Sequence, residues 1–302
     1  MKALVDLDVV TYACGFAGQS KKFYVEDETF DSSKDAREYC AAMQLSFEED
    51  VTEEVIPEPV ANVLHSVKVM VESIVEEAGA DEWQGFLTGD GNFREEVAIS
   101  KPYKGNRSQA KPYHYDTIRN YLLNHMGATL IEGEEADDAL GRVQVADIQA
   151  NGPKNASTII CTIDKDLDMI PGWHFNWNTK EIYMVRPKQG NRFFLHQMLT
   201  GDSTDNIPGI PRVGKQMADN LFTEAEEEYD DDVLTRALVD MVYERYLTFF
   251  KKHYPETDPE CVRKLALAYM KEQHDLLWIS RGEEKSIIER HILNGEENTT
   301  VS

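Results

Sequence analysis

The sequence has no apolar run near the roughly 20 residues that a membrane span requires, and no long hydrophobic stretch of any other kind. Its start, Met1-Lys2 followed by a short strand-like run, has no signal-peptide core or small-residue cleavage site, so a cytosolic protein is expected. Cysteine is scarce. Cys14, Cys40, Cys161 and Cys261 stand far apart with no CxxC pair, which argues against a disulfide framework or a zinc site and for buried, reduced thiols. Bases are also few, 31 Lys and Arg against 55 Asp and Glu in 302 residues, for a net charge of −24. A general nucleic-acid binder is normally basic, so the total charge argues against that class.

The distribution of charge says more than the sum. Glu26 to Glu58 holds twelve acids and two bases, and Glu224 to Asp232 holds seven acids and none. Between Asp90 and Arg119 six bases meet four acids, and between Arg186 and Lys215 five meet two. Two locally basic stretches therefore sit in an acidic chain.

Strands and helices alternate over the first part of the chain. Lys2 to Asp8 reads as a buried strand ending in carboxylates, and residues 20–58 as an acidic, irregular insertion with weak helical signals at 34–47. Asn62 to Ala78 repeats Val63, Val67, Val71 and Ile74 at helical spacing, with Gly79 placed as a C-cap. Trp83 to Leu87 is a second strand. The polar, basic stretch 93–114 is an exposed loop or arch, and Tyr115 to Met126 a helix. Ala128 to Ile131 is a strand, a helix runs from Glu134 to about Asn151, and Ser157 to Ile163 is a β-branched strand. Two late strands, at 174–177 and 181–185, complete a mostly parallel α/β sheet that binds ligands at the carboxyl ends of its strands. Past residue 186 the pattern turns helical, with Glu224–Asp232 as a solvated loop and a charged, partly disordered tail from Gly282.

The acids fall at strand exits. Asp6 and Asp8 end the first strand, Asp90 follows the second, Glu135, Asp137 and Asp138 open a helix, Asp164 and Asp166 end the most apolar strand, and Asp202 and Asp205 lie in a turn before a helix. An i,i+2 pair on extended chain points one way and an i,i+3 pair at a helix start shares a face. A lone acid in such a place is ordinarily a cap or a solvated turn. Five clusters at equivalent places are harder to explain so, because gathered carboxylates repel unless cations join them. Oxygen-only ligands suit Mg²⁺ or Mn²⁺. Asp8 and Asp168 are the weakest candidates. An EF-hand is excluded at Asp164, since the sixth and twelfth loop positions are Met169 and Phe175.

Taken in order, Leu4-Val-Asp6, Asp90-x-x-Phe-Arg94, Tyr103-Lys-Gly-Asn-Arg107, Glu135-Ala-Asp-Asp138, Asp164-Lys-Asp-Leu167 and Gly201-Asp-Ser-Thr-Asp-Asn-Ile-Pro-Gly209 resemble the phage and bacterial 5′→3′ exonuclease and flap endonuclease family. That family is related to the 5′-nuclease domain of DNA polymerase I. The resemblance covers roughly residues 1–222 and is closest to a phage exonuclease without an attached polymerase.

The resemblance implies a PIN-like α/β nuclease domain at 1–185, carrying the insertion 20–58 and a helical arch at 93–114. It implies a helix-hairpin-helix and C-terminal helical region at 186–302. It also implies a first metal site of Asp6, Asp90, Glu135, Asp137 and Asp138, and a second of Asp164, Asp166, Asp202 and Asp205. Lys104, Arg94 and Arg107 would steer the scissile phosphate and the 5′ end. Ile207 to Ala218 would grip duplex backbone without reading sequence, through Gly209, Arg212, Gly214 and Lys215, with a potassium ion at the hairpin. Two departures stand out there: Arg212 occupies a usual glycine position, and Gln216 a usual lysine position.

The activity implied is two-metal hydrolysis of DNA phosphodiesters to 5′-phosphate products, in the host cytoplasm if the chain is phage-encoded. The substrate would be DNA with 5′ ends (duplex, flap or nicked) or an RNA–DNA hybrid. Tyr103, Tyr113 and Tyr115 would be platforms for a frayed base. Two alternatives remain: a haloacid-dehalogenase-type phosphatase with Asp6 as covalent nucleophile, and a structure-specific DNA-binding protein without catalysis.

Overall fold

Ala3, Leu4 and Val5 carry no exposed surface, and they form the heart of the central strand of a six-stranded sheet in the computed structural model, which describes residues 1–108, 110–228 and 231–293. Along the first half of the chain the elements are β1 (Lys2–Asp6), α1 (Leu7–Ala17), β2 (Gln19–Val25), β3 (Glu28–Phe30), α2 (Ser33–Met43), α3 (Phe47–Asp50), β4 (Val51–Pro57), α4 (Val60–Glu77), β5 (Glu82–Thr88), α5 (Phe93–Val97), α6 (Tyr115–His125), β6 (Thr129–Ile131) and α7 (Ala136–Asn151). Then come β7 (Thr158–Cys161), β8 (Gly172–Asn176), β9 (Glu181–Val185), α8 (Pro187–Thr200), α9 (Lys215–Glu228), α10 (Asp231–His253), α11 (Pro259–Leu277) and α12 (Ile287–His291).

The main sheet runs β6-β5-β1-β7-β8-β9. It is parallel throughout except for β9, which returns antiparallel on β8. Strands buried on both faces need no polar alternation, which is why β1 and β7 are apolar runs. Alternate residues feed two cores. Ala3 and Val5 join Leu7, Val63, Val67 and Leu122 on the α1/α4/α6 face. Leu4 and Ile160 join Leu140, Phe194, Tyr246 and Ile288 on the other, so helices α7, α8, α10 and α12 share one core with the sheet. Among the described residues no helix is long and apolar enough to cross a membrane.

Several expectations are corrected. Residues 20–58 are ordered: β2 pairs antiparallel with both β3 and β4, and Phe23, Val25, Ala36 and Cys40 form a small core beneath them. The helical signal at 34–47 becomes α2 and α3. Asp8 does not end a strand, because the chain turns helical at Leu7. The stretch 93–114 is not a helical arch: of its described residues only the five of α5 are helical, and the others form a loop tied to the body at Lys104, Asn106, Tyr113 and His114. The described residues of the acidic run, Glu224 to Glu228 and Asp231 to Asp232, are helix instead of loop. The tail from Gly282 is partly built, with Ser286 capping α12, while 294–302 lie outside the described residues. Cys14, Cys40 and Cys161 are buried as expected, but Cys261 is exposed.

Candidate active site

The chain builds from β1 outward to β5 and β6 on one side, then returns to β7 and β8 on the other. This reversal is the place where an open α/β sheet leaves a crevice at its strand ends. The acids are there because the backbone must turn there. Asp6 ends β1 and caps α1, its Oδ1 accepting from the Val9 amide at 3.2 Å while Oδ2 accepts from Thr162 Oγ1 at 2.9 Å. Asp164 follows β7 and caps a 3-10 turn at Lys165–Met169, accepting from the Asp166 amide at 2.9 Å. The Asp164/Asp166 pair is therefore set by this turn and not by extended chain. Glu135 is the N-cap of α7, with Asp137 in its first turn.

Asp202 and Asp205 lie in the turn between α8 and α9, closed by paired backbone bonds between Asp202 and Ile207. Two glycines make that turn possible. A Cβ on Gly201 (φ +68°) would lie 2.1 Å from the Ile207 carbonyl oxygen, and one on Gly209 (φ +58°) 2.2 Å from the Gly201 nitrogen. Helix α11 holds the turn from behind: the Gly209 amide donates to Gln273 Oε1 at 3.0 Å, and Tyr269 Oη donates to the Gly209 carbonyl at 2.8 Å.

Two adjoining cavities of about 450 and 500 Å³ meet along Tyr103, Lys104, Arg107, Glu135, Asp137 and Asp164. One extends to Asp6, Asp8 and Asp90, the other to Asp166, Asp202 and Asp205. On the first side the acids lack positive partners. Asp6 is 2% exposed, and burial, then the nearby Asp8, pushes its carboxyl up to about 7. Asp137 is raised well above the usual carboxylate range by burial and then by Asp6, Asp164 and Glu135. Asp90 sits exposed on the loop after β5. Asp8 faces the same cavity but is held by Arg119 Nη1 at 2.9 Å and by the Thr88 amide at 2.9 Å.

On the other side each carboxylate has a cation. Lys104 Nζ donates to Glu135 and lies 3.7 Å from Asp205, and Arg107 Nη2 reaches Asp205 Oδ1 at 2.6 Å. Burial works against the Lys104 charge, yet Glu135 and Asp205 outweigh it and raise its pKa. Lys165 Nζ bridges Asp166 Oδ1 at 2.7 Å and Asp202 Oδ2 at 3.2 Å. Burial, then Asp164, lifts Asp166 to about 6. Asp202 stays below its ordinary value because the Thr204 amide and Lys165 overcome burial.

The backbone closes the same contact. Lys104 N donates to the Asp205 carbonyl, Asn106 Nδ2 to that of Ser203 and Asn206 Nδ2 to that of Pro102, while Lys104 takes a left-handed φ of +53°. A lysine in that conformation costs about 1 kcal/mol or more, so the contact is strong enough to hold it.

Among the described residues no three His, Cys, Asp or Glu side chains converge tightly enough to hold a metal ion as they stand. The acids are gathered round the cleft, with ammonium and guanidinium groups paired to one subset and not to the other. That donor set still fits a hard divalent cation: it is all oxygen, and lysine nitrogens already stand as cations between its members.

No family model matches the chain. In sequence it is similar to a 5′–3′ exonuclease of Buchnera aphidicola subsp. Baizongia pistaciae, 30% identical over 145 residues, which is 42% of this chain and 44% of that protein. It is also similar to DNA polymerase I of Pseudomonas aeruginosa, 31% identical over 153 residues, 43% of this chain and 15% of that one. The chain resembles the 5′-nucleases. The match spans less than half the length of these two relatives. Among solved structures, the bacteriophage T5 D15 flap endonuclease in a pseudo-enzyme–product complex with DNA and metal ions aligns over 89% of this chain and 99% of that one, at 16% identity and a TM-score of 0.47.

In this 5′-nuclease-like chain three expected site residues sit differently from the pattern that named them. Asp138 turns away from the cleft: Arg94 grips both its oxygens, at 2.7 and 3.0 Å, and the Ser280 amide adds a bond at 2.8 Å. Arg94 is 2% exposed and gives its other donors to the Leu276 and Trp278 carbonyls, so it is a strut joining α5, α7 and the segment after α11 instead of a free phosphate ligand. Tyr103 is buried, its hydroxyl 2.9 Å from Asp205 and 3.1 Å from Glu135, and is no platform for a base. Tyr113 is exposed, and Tyr115 packs on Tyr12 with ring centroids 5.3 Å apart.

Arg212, Gly214 and Lys215 are exposed in the turn that opens α9, outside the cleft wall. Arg212 adopts φ +71°, the left-handed conformation that explains why glycine is usual there. Sequence reasoning missed Lys165, Gln197, Arg119 and Thr162. Lys165 lies inside the Asp164-x-Asp166 motif and was the one in plain view; nothing local marks Gln197, which arrives from α8.

Proposed function

We propose that this chain is a divalent-cation-dependent 5′-nuclease that hydrolyses DNA phosphodiesters to leave 5′-phosphate ends. The observation that carries this reading is the juxtaposition of unpaired acids, Asp6, Asp137 and Asp164, with the cations Lys104 and Arg107 in one cleft. Neighbouring carboxylates with no ion-pair partner either take up protons or gather a cation, and a divalent cation would relieve the repulsion among these three. Lys104 and Arg107 are placed to take phosphate oxygens, at a site whose own charge would repel the substrate.

Asp6, Asp90, Glu135 and Asp137 would hold one Mg²⁺ or Mn²⁺, and Asp164, Asp166, Asp202 and Asp205 a second. When bound, the ions supply a water of lowered pKa and neutralise charge at the phosphate. The chain's residues do the rest. Lys104 passes from Glu135 and Asp205 to the phosphoryl oxygens, where negative charge grows in the transition state. Tyr103 keeps Glu135 and Asp205 in place by donating from a phenol whose pKa is raised, by burial first and by those two acids next. Arg94 and Asp138 fix the start of α7 from behind.

In this reading residues 1–185 together with the Asp202–Asp205 turn carry the chemistry and the rest of 186–302 holds duplex DNA, with Arg212, Gly214 and Lys215 presented at the start of α9, Gly209 buried behind them against α11, and a potassium ion as a further occupant of the hairpin. An RNA–DNA hybrid would be accepted in the same way, and the setting would be the cytoplasm. The covalent phosphatase alternative is disfavoured, because Asp6 is buried with both oxygens engaged and its would-be acid/base Asp8 is tied to Arg119. The test is incubation of 5′-labelled duplex and flap DNA with and without Mg²⁺. Release of 5′-phosphate mono- or oligonucleotides only with the metal is expected; DNA binding without cleavage would leave a structure-specific binding protein instead.

A further inference from the structure

Lys165 belongs to neither basic stretch of the sequence, yet it occupies the centre of the Asp166/Asp202 pair. Its ammonium lies 2.7 Å from Asp166 Oδ1 and 3.2 Å from Asp202 Oδ2. Gln197 Nε2 approaches the same two oxygens, at 2.8 and 3.4 Å. The two donors differ in what moving them would entail. Gln197 is buried on α8, whereas the Lys165 side chain is 64% exposed on a flexible stem. The amide is a fixture and the ammonium is removable.

We propose that Lys165 is a built-in counter-cation that competes with a divalent ion for Asp166 and Asp202, and so sets the affinity of the second ion group. This rests on reading the cleft as a metal site. An ammonium and a divalent cation cannot both occupy the gap between two carboxylates without strong like-charge repulsion, so the ion must displace the lysine. Gln197 is the positioning residue: it keeps Asp166 and Asp202 together once the lysine has swung out. The Thr204 amide secures the other Asp202 oxygen at 2.7 Å, so Asp202 has little freedom to follow the departing ammonium. The first ion group has no equivalent: among the described residues no ammonium bridges two of its carboxylates, Asp6, Asp90 and Asp137 making no ion pair and Glu135 sharing Lys104 with Asp205 of the other group.

Calorimetric titration of Mn²⁺ into the full chain without DNA, at fixed pH and ionic strength, tests this. The wild-type chain should show one stronger and one weaker class of site. Lys165→Met should tighten the weaker class about tenfold, the low end of what one charge at this range does to a carboxylate, and leave the stronger class unchanged. Lys165→Arg, which keeps the charge, should match the wild type, and Asp202→Asn should remove the weaker class in either background. Equal affinities in wild type and Lys165→Met would overturn the inference while leaving the nuclease reading intact. No Mn²⁺ binding by the wild type would overturn both.

Discussion

The two sides of the cleft hold comparable numbers of carboxylates and treat them in opposite ways. Asp6, Asp137 and Asp164 make no ion pair among the described residues, and burial with neighbouring acids raises Asp6 and Asp137 even though Lys104 pulls against the rise at Asp137. Around Asp166, Asp202, Glu135 and Asp205 every acid is met by Lys165, Lys104 or Arg107. Acidic clusters at strand ends are therefore not one feature. On the proposed reading the unpaired side is open to a cation, and the paired side already holds one from the chain that an incoming ion would have to displace. The first should load readily; the second should load more weakly, against Lys165, and more easily once substrate phosphate also draws Lys104 from Asp205.

The contrast can be broken most severely at Asp164, which both cavities share. Asp164→Ala should lower cleavage of 5′-labelled DNA about 1,000-fold or more, with DNA affinity in a mobility-shift assay nearly unchanged; activity within tenfold of wild type would show that the two sides do not work as one site. A smaller effect is expected from the paired side alone. Lys104→Ala should reduce turnover about 100-fold, the cost of removing one stabilising donor, while freeing Glu135 and Asp205 to bind cations more tightly. Unchanged turnover would remove Lys104 from the chemistry.

The gentlest probe is pH. A carboxyl whose pKa is higher in the folded than in the unfolded chain takes up protons on folding, so stability falls as pH rises between about 4 and about 7. The metal-free protein should melt at a higher temperature at pH 5 than at pH 8. Asp6→Asn should remove part of that slope and raise the pH 8 melting temperature by a few degrees, equivalent to about 1–2 kcal/mol. A steeper pH dependence in the variant would mean that Asp6 is not raised.

The parallel sheet was legible because its strands are doubly buried and therefore continuously apolar, and β1, β5 and β7 fell where apolar runs predicted them. The insertion was not. In β2 and β4 the apolar positions are interleaved with Lys and Glu, as in the Lys21–Glu53 pair at 2.6 Å, so a half-exposed antiparallel sheet reads as a polar, irregular segment. The site divided in the same way. Carboxylates at strand exits announce themselves, since capping and ligation ask for the same residue at the same place. Orientation does not: that Asp138 turns inward depends on Arg94, 44 positions away, and on a backbone amide at Ser280. The grouping into two ligand sets is likewise softened, because Glu135, Asp137 and Asp164 stand where the two cavities meet.

The insertion enters and leaves the body at one point, where the Glu58 amide meets the Gly18 carbonyl at 2.9 Å. The far end of the 98–114 segment is tied there, through Tyr113 N to Gln19 Oε1 at 2.7 Å and His114 Nε2 to the Glu58 carbonyl at 2.8 Å. Its near end is clasped to the Asp202–Asn206 turn by Lys104 and Asn106. The described residues of the segment are thus tied at two places, one on the Asp202–Asn206 turn and one on the base of the insertion. The small acidic sheet is therefore the post to which one end of the cleft wall is fastened, so a change in the insertion would be felt at Lys104.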